Sequence, residues 1–497
     1  MDKRRSKLFD SKRLLALAGA AVLHSSAAFG SELASDPDVA GGLWLAEQWL
    51  SAQMSYDGVP GASFALVHDQ ETVWKKGFGY ARVKGKVPAT SDTRYSVCSV
   101  SKLFTGIGVM QLRDAGKLSL DAPIEDLLPW YALPAHEEQE EPVTLRAILS
   151  HVAGLPREAV SPYWSDVDFP DRRTLQEGTA EQTALYRPYE RFQYSNLGLS
   201  LAGEAIAAAS GEDFHDYIRA NILTPLEMNS TTSELPTKLY GKEFAVGYEM
   251  RDESGKRTEI APYTVNAVAP AAGFASSAND LARFASWQFR LLENGGEEVL
   301  KATTLREMER THWVEPDLDG ATWGLGFALS KVGSEYWVGH GGYCPGYRTA
   351  FLTRPQDKLA IVAMVNINDV SPSLLARNIL MLTQAPLLAA ATRDSDELTD
   401  ETAAEEVKDF SAYQGVYGRP NTVYRFATAA TSKGLREIPV FADNLKDRSV
   451  DLKPEGNHVF RRLSRKGEEL HTVRFEVDEN GRAVRRWEHG QYADRLD

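Results

Sequence analysis

The alternation of apolar and polar positions divides the chain into a β-rich beginning, a helical middle and a β-rich end. Leu43 to Tyr56 repeat apolar residues at helical intervals, which predicts a helix over 43–56. Ala62 to His68 and Val73 to Gly79, joined by a turn at Asp69-Gln70, read as paired strands. Between Ser99 and Ala115 the residues Val100, Leu103, Phe104, Ile107 and Met110 share one helical face, and Gly116 is the stop signal. Helical patterns return around 197–222 and 279–293. Strand texture resumes over 323–329, 335–338, 347–353 and 359–366, and a helix is expected near 372–383. Such an order predicts an α/β (α+β) protein: an antiparallel sheet flanked by helices, with a mostly helical subdomain.

The texture then changes. Asp394 to Asp409 hold eight acidic residues and no aromatic one, so an exposed acidic linker is expected at 391–410. Past it, Val473, Phe475 and Val477 alternate, Asn480-Gly481 turns the chain, and Val484 and Trp487 return. Residues 411–497 are therefore expected to form a small separate β domain.

Composition narrows the function. A chain of 497 residues, 43% hydrophobic and 10% aromatic, is long enough for several packed domains and too apolar for disorder. Two cysteines exclude a disulfide scaffold and a cysteine-based zinc ribbon. The net charge is −14. Residues 1–30 carry six of the basic groups, and the remainder has 49 basic against 67 acidic residues, a net of −18. That field repels phosphate backbones and anionic lipid, so neither nucleic acid nor a membrane surface is an expected partner. Lys3 to Arg13 followed by Leu14 to Leu23 and then small residues reads as a signal peptide over 1–30, with cleavage before Ser31. The apolar run is far short of the roughly 20 residues of a membrane span, and no other stretch reads as one. The mature protein is expected in the periplasm or outside the cell.

Three clusters carry candidate chemistry. Ser99-Val100-Ser101-Lys102 opens the apolar helix, and positions three apart share a helical face, so Lys102 can stand beside the Ser99 hydroxyl. The alcohol needs a base, and an amine serves if burial or nearby positive charge lowers its pKa. Ser-x-x-Lys alone is weak, because a chain of this composition holds about one such match by chance. Tyr194-Ser195-Asn196 stands at a corner before the next helix, and Gly339-His340-Gly341-Gly342-Tyr343 lies on a late strand where small residues permit close approach. The ten histidines are scattered and form no His-Glu-x-x-His, so no metal or other cofactor is implied. The Gly-x-Ser-x-Gly elbow and the phosphate-binding loop are missing as well.

Order and spacing of these clusters resemble the serine β-lactamase and penicillin-binding-protein superfamily, in particular its class C β-lactamase-related branch of family VIII esterases and D-amino-acid peptidases. Tyr95 to Thr105, Thr144 to Leu155, Pro270 to Leu281 and Trp323 to Phe327 are similar to segments of that branch, and the likeness covers about residues 41–385. Tyr413 to Tyr417 resemble the start of a lipocalin-like barrel. The resemblance implies a hydrolase domain over 31–390, a C-terminal barrel, and a secreted serine hydrolase acting on esters or small amides, including D-amino-acid peptides. Ser99 would be acylated, Lys102 and Tyr194 would share base and acid work, and Asn196 would hold a substrate carbonyl or amide. His340, Gly341 and Gly342 would line the substrate site, with the backbone N–H groups of Ser99 and Tyr343 as the oxyanion hole. A Cys98–Cys344 disulfide is expected because some class A carbapenemases look similar there; two free thiols are the alternative. True β-lactamases usually carry Lys-Thr-Gly where His340-Gly341-Gly342 stands, so a β-lactam carboxylate should be held less well, with Arg348 as a candidate replacement charge. Tyr189 replaces a glycine often found before the Tyr-x-Asn segment, and His151 is expected to bond within the fold. The rivals are a true β-lactamase or D-Ala-D-Ala carboxypeptidase and, in another class, a slowly acylated penicillin-binding sensor.

Overall fold

The computed structural model describes residues 32–136, 141–159, 163–316, 321–332, 335–393, 409–419, 422 and 424–497. The expected signal peptide and the acidic stretch 394–408 lie outside the described residues.

Gly61–His68 and Leu359–Val365 are nearly continuous apolar runs, buried almost throughout, as strands covered on both faces must be. Their side chains alternate between two cores. Ala62, Phe64, Leu66, Ile361 and Ala363 face one, while Ala65, Val67, Val362 and Met364 face the other. They form the centre of a nine-stranded antiparallel sheet whose order is Val87–Pro88, Glu71–Arg82, Gly61–His68, Leu359–Val365, Tyr347–Arg354, Glu335–Cys344, Ala328–Val332, Ala321–Trp323 and Trp313–Glu315. Helices Pro37–Asp57 and Pro372–Ala391 cover one face. Ala278–Asn294 and the helical body containing Ser101–Asp114 and Asn196–Ser210 cover the other.

Three elements differ from expectation. The helix expected from Ser99 begins as a 3₁₀ turn, Cys98–Val100, and becomes α-helical over Ser101–Asp114. The strand expected over 323–329 breaks at Gly324, whose N–H donates to the Phe327 carbonyl, 2.9 Å, so that Leu325 and Phe327 turn into the core. The last helix runs on to Ala391 through Pro386, because Leu382 and Leu387 continue its buried face. By length and hydropathy this helix could cross a membrane, contrary to the expectation of no such stretch; here half of it is buried in the core.

Gly415–Gly418 to Gln491–Arg495 form a closed eight-stranded antiparallel barrel. Each strand pairs with its chain neighbour and the last with the first, Tyr417 opposite Arg495. Closure removes the sheet edges that an exposed β domain would otherwise present. Tyr417, Leu435, Leu452, Phe460, Val473 and Phe475 fill it. The outer wall is not solvated all round: Ala427, Ala429, Ile438 and Val440 share a core with the Pro37–Asp57 helix. Trp49 Nε1 donates to the Ala442 carbonyl at 2.8 Å, and Asp38 accepts from the Ser432 N–H at 2.7 Å. The barrel thus docks on the sheet face opposite the Ser101–Asp114 helix.

Two adjacent glycines let the Pro37–Asp57 helix approach its neighbours, Gly41 the barrel and Gly42 the Pro372–Ala391 helix. A Cβ on Gly41 would lie 2.5 Å from the Ala430 carbonyl oxygen of the barrel. On Gly42 it would lie 2.5 Å from the Leu382 oxygen, the carbonyl that Pro386 leaves without its helical donor. Gly41→Ala and Gly42→Ala should each destabilise the protein by about 1–3 kcal/mol through forced backbone shifts. Thermal unfolding checks this; an unchanged or higher Tm would show the contact to be slack.

Candidate active site

Ser99 lies at the mouth of the helical body, half-buried, directly after Cys98, whose φ of +52° is the left-handed conformation. This kink aims the Ser99 side chain beside that of Lys102, three positions on. Lys102 is fully buried. Its Nζ stands 3.2 Å from Ser99 Oγ and donates to Asn196 Oδ1 and to the Ala271 carbonyl, each at 2.8 Å. Burial drives the Lys102 pKa well below its ordinary value; Glu158 opposes that shift and Arg157 adds to it.

Each partner of the amine is fastened independently. Ser195 caps the Asn196–Ser210 helix by accepting from the Gly198 N–H, 2.9 Å, and donates to the Pro156 carbonyl, 2.7 Å. Thr105 Oγ1 donates to the Pro270 carbonyl, and Ser101 Oγ accepts from the Phe274 N–H, holding the Ala271 loop against the Ser99 helix.

Tyr194 is packed into an aromatic box. The His151 ring stacks on it at 4.3 Å, and Trp323 and His340 stand 5.8 and 6.2 Å away, centroid to centroid. Lys102 Nζ lies 4.8 Å and the Arg157 guanidinium 5.0 Å from the ring centroid. Burial pushes the phenol pKa up, although the Ser99 hydroxyl beside it pulls the other way. His151 bonds within the fold as expected: its Nδ1 accepts from the Ser195 N–H at 3.2 Å. Burial and the Lys102 charge depress its pKa. Tyr189 adopts φ +64°, so the loop keeps the backbone shape a glycine would take, and its N–H donates to the Val152 carbonyl at 2.7 Å.

The late strand, Glu335–Cys344, runs alongside. Gly342 permits the approach: a Cβ there would lie 2.2 Å from the Val97 carbonyl oxygen. Cys344 forms the expected disulfide with Cys98, Cα–Cα 5.8 Å. His340 is buried, and its Nδ1 bonds the Gly341 carbonyl at 2.6 Å while Nε2 has no partner. Burial, then the Lys102 charge, lowers its pKa to about 3, so the imidazole is neutral. The Tyr343 side chain is 61% exposed, with Arg348 over its ring at 5.4 Å. A Cβ at Gly341 would meet only the Thr349 carbonyl oxygen, at 3.8 Å. A cavity of about 500 Å³ adjoins His340 and Gly341, walled by Trp337, Leu352 and Leu380 with Arg377 among its lining.

The structure therefore brings Ser99, Lys102, Tyr194, Asn196 and the Gly339–Tyr343 strand into one site. It departs from expectation at Asn196, which is 3% exposed with both amide ends occupied, Oδ1 by Lys102 and Nδ2 by Glu158 Oε1 at 2.7 Å. Sequence reasoning missed Arg157, Glu158 and the Ala271 carbonyl. The only signal for the first two was an adjacent pair of opposite charges after Gly154-Leu155-Pro156. Potential metal ligands converge elsewhere, in the barrel, where His471, Glu488 and His489 bring their donor atoms within 4.8 Å of one another. Glu488 there already accepts from Arg462 and Arg486.

A buried lysine and a tyrosine beside one serine, between an antiparallel sheet and a helical body, define the class: the β-lactamase-like serine hydrolases. Residues 46–385 match the Beta-lactamase family model, and the chain belongs to that family. Protein flp of Staphylococcus aureus (strain MW2) is 25% identical over 315 residues, 63% of this chain and 60% of its own length. Beta-lactamase-like protein 2 of Dictyostelium discoideum is 26% identical over 356 residues, 69% of this chain and 61% of its own. The chain thus spans about three-fifths of these curated relatives. The octameric penicillin-binding protein homologue from Pyrococcus abyssi shares the fold across 90% of this chain and 98% of its own, with a TM-score of 0.61 and 24% identity. A D-stereospecific amidohydrolase from Streptomyces sp. does so across 69% and 98%, with a TM-score of 0.56 and 23% identity.

The disulfide closes a loop with a sequence separation of 246 residues between the nucleophile turn and the late strand. In the chain-entropy model such a closure contributes about 5 kcal/mol. Cys98→Ser with Cys344→Ser, or reduction of the native protein, should lower the Tm by several degrees; coincident melting curves with and without reductant would contradict this.

Proposed function

We propose that the protein is an exported serine hydrolase that forms an acyl-enzyme on Ser99 with esters or small amides. One observation carries the reading: a buried amine, its pKa driven well down by that burial, lies 3.2 Å from the Oγ of the half-buried Ser99. Two of the three tetrahedral directions around Lys102 Nζ beyond its own carbon are filled by carbonyl acceptors, which take its two hydrogens when it is neutral. The remaining lone pair faces Ser99 Oγ. Lys102 then accepts the serine proton as Oγ bonds the substrate carbonyl carbon, and becomes the ammonium that donates to all three neighbours.

Tyr194 divides the labour with it. A phenol whose pKa is raised by burial remains protonated and suits the acid role, handing its proton to the departing alkoxide or amine while the Lys102 ammonium gives up the serine proton to replace it. The oxyanion would be held by the N–H groups of Ser99, at the positive start of a helix, and Tyr343. Water then releases the acyl group. The neutral His340 and the bare Gly341 offer neither the charge nor the hydroxyl that would hold a β-lactam carboxylate, which favours ester and amide substrates over β-lactams. The shared fold with a D-stereospecific amidohydrolase supports including D-amino-acid amides in that class. Export is supported by the Leu14–Leu23 run and by a disulfide, which persists in oxidising compartments.

Initial rates on p-nitrophenyl esters, a D-alanine anilide and nitrocefin test the proposal. Ester or anilide hydrolysis is expected to exceed nitrocefin hydrolysis. Ser99→Ala should abolish it, and Tyr194→Phe should lower kcat by about 10²–10⁴-fold. Activity surviving in Ser99→Ala would overturn the mechanism, and nitrocefin as the best substrate would overturn the substrate class.

A further inference from the structure

The mechanism above requires that Lys102 present its lone pair, not an N–H, to Ser99. Something must therefore keep an acceptor at the Asn196 position, and an amide side chain offers either an oxygen or an NH₂ depending on how it is turned. Asn196 is buried and flanked by two groups that decide the matter. On one side is the Lys102 amine; on the other is Glu158, a carboxylate and hence acceptor only. With Nδ2 donating to Glu158 Oε1 at 2.7 Å, the only end left for Lys102 is Oδ1, at 2.8 Å. The reverse setting would aim an N–H at the amine lone pair and oppose two acceptors, Oδ1 and Oε1. Glu158 is itself held: Tyr163 OH donates a short hydrogen bond to its Oε2, and Arg157 Nε stands 3.3 Å from Oε1. The Arg157 carbonyl accepts from the N–H groups of Asn196 and Leu197, at 2.8 and 3.2 Å, so the segment bearing Glu158 is pinned to the one it orients.

We infer that Glu158 is a positioning residue for the reaction, fixing the Asn196 amide so that the Lys102 lone pair faces Ser99, and that Arg157 balances the Glu158 charge. This rests on the reading of Ser99 and Lys102 given above. The electrostatics point the same way. Among the charged and titratable groups facing the amine, Tyr194 is a neutral phenol, and His151 and His340 are neutral imidazoles, both with depressed pKa values. That leaves Glu158 and Arg157 as the groups that act on Lys102 with opposite signs. Glu158 favours the ammonium formed as Ser99 is acylated, and Arg157, 60% exposed, restrains it.

The two residues therefore make opposed predictions for the acid limb of the pH profile, where activity rises as Lys102 loses its proton. The experiment measures the rate at which a fluorophosphonate labels Ser99 across pH in the full-length protein, beside ester kcat/KM. Glu158→Gln removes the negative charge, lowers the Lys102 pKa and should move the limb down by about half a pH unit or more. Arg157→Gln should move it up by a similar amount. Glu158→Asp, which keeps the charge, should hold the limb near its parent position. A merely structural role would lower the rate at every pH and leave the limb in place, so unmoved limbs in both Gln variants overturn the inference. Should Glu158→Gln fail to fold, the surface variant Arg157→Gln still decides: a limb that stays or moves down overturns it. Absence of Ser99-dependent labelling in the parent protein overturns the proposed function itself, whereas labelling with unmoved limbs overturns only the role of Glu158.

Discussion

A single amine, taken out of water and given two carbonyl acceptors and one alcohol, is the constraint around which the rest of the site is arranged. Lys102 is buried, so its charged form is costly and its pKa is driven well below the ordinary value. A lysine buried this way would be only a liability if its surroundings were loose, because the stem is flexible and the amine would turn away from the serine. Instead the three segments that cage it are bonded to one another: the Asn196 helix start to the Arg157 carbonyl, Ser101 to Phe274, and Thr105 to Pro270. The cage costs side-chain entropy when it forms, and the many backbone attachments mean that this cost is met in folding rather than at each turnover.

The second constraint is the distance between the Ser99 turn and the late strand, since the proposed oxyanion hole of Ser99 and Tyr343 would need both N–H groups on one point. Gly342 allows the backbones to touch, and the Cys98–Cys344 bond keeps them there. Part of the chain's backbone strain borders this site, although Val167 and Val299 carry it elsewhere. Cys98, His151 and Tyr189 all take positive φ without being glycine, at a cost of about 1–2 kcal/mol each. Cys98 aims Ser99, and His151 supports the Tyr194 ring. At Tyr189 the strained backbone preserves the entry of the Tyr-x-Asn loop, although nothing around the ring explains why glycine was not retained there.

What could be read from the sequence was what local spacing determines. Ser99 and Lys102 meet because three residues along a helix share a face; Tyr194 and Asn196 flank a cap; Gly342 marks a close approach. Central strands declared themselves as continuous apolar runs. The unread part is long-range. Ala271 contributes a backbone oxygen, which has no residue signature at all. Arg157 and Glu158 look like an ordinary surface ion pair, and only the tertiary fold turns Glu158 inward. The last helix was expected only near 372–383, yet burial of Leu387 carries it past Pro386, and Gly42 of another helix closes on the carbonyl that Pro386 orphans. The barrel was legible from its hairpins, but its docking depends on Ala427, Ala429 and Ile438, small or apolar residues that resemble any strand's inward face.

The departure from Lys-Thr-Gly on the late strand has a meaning beyond the loss of a carboxylate anchor. In the proposed acylation Lys102 becomes an ammonium inside a cavity that already disfavours charge. A second cation on the His340 side chain, which lies among the same rings as Tyr194 and Trp323, would raise the cost of that ammonium further. The neutral His340 avoids this, and the nearest fixed positive charge becomes Arg157, partly neutralised by Glu158 and open to solvent. A neutral side chain at His340 therefore has two effects at once: it offers no charge to a carboxylate, and it adds no second cation beside Lys102.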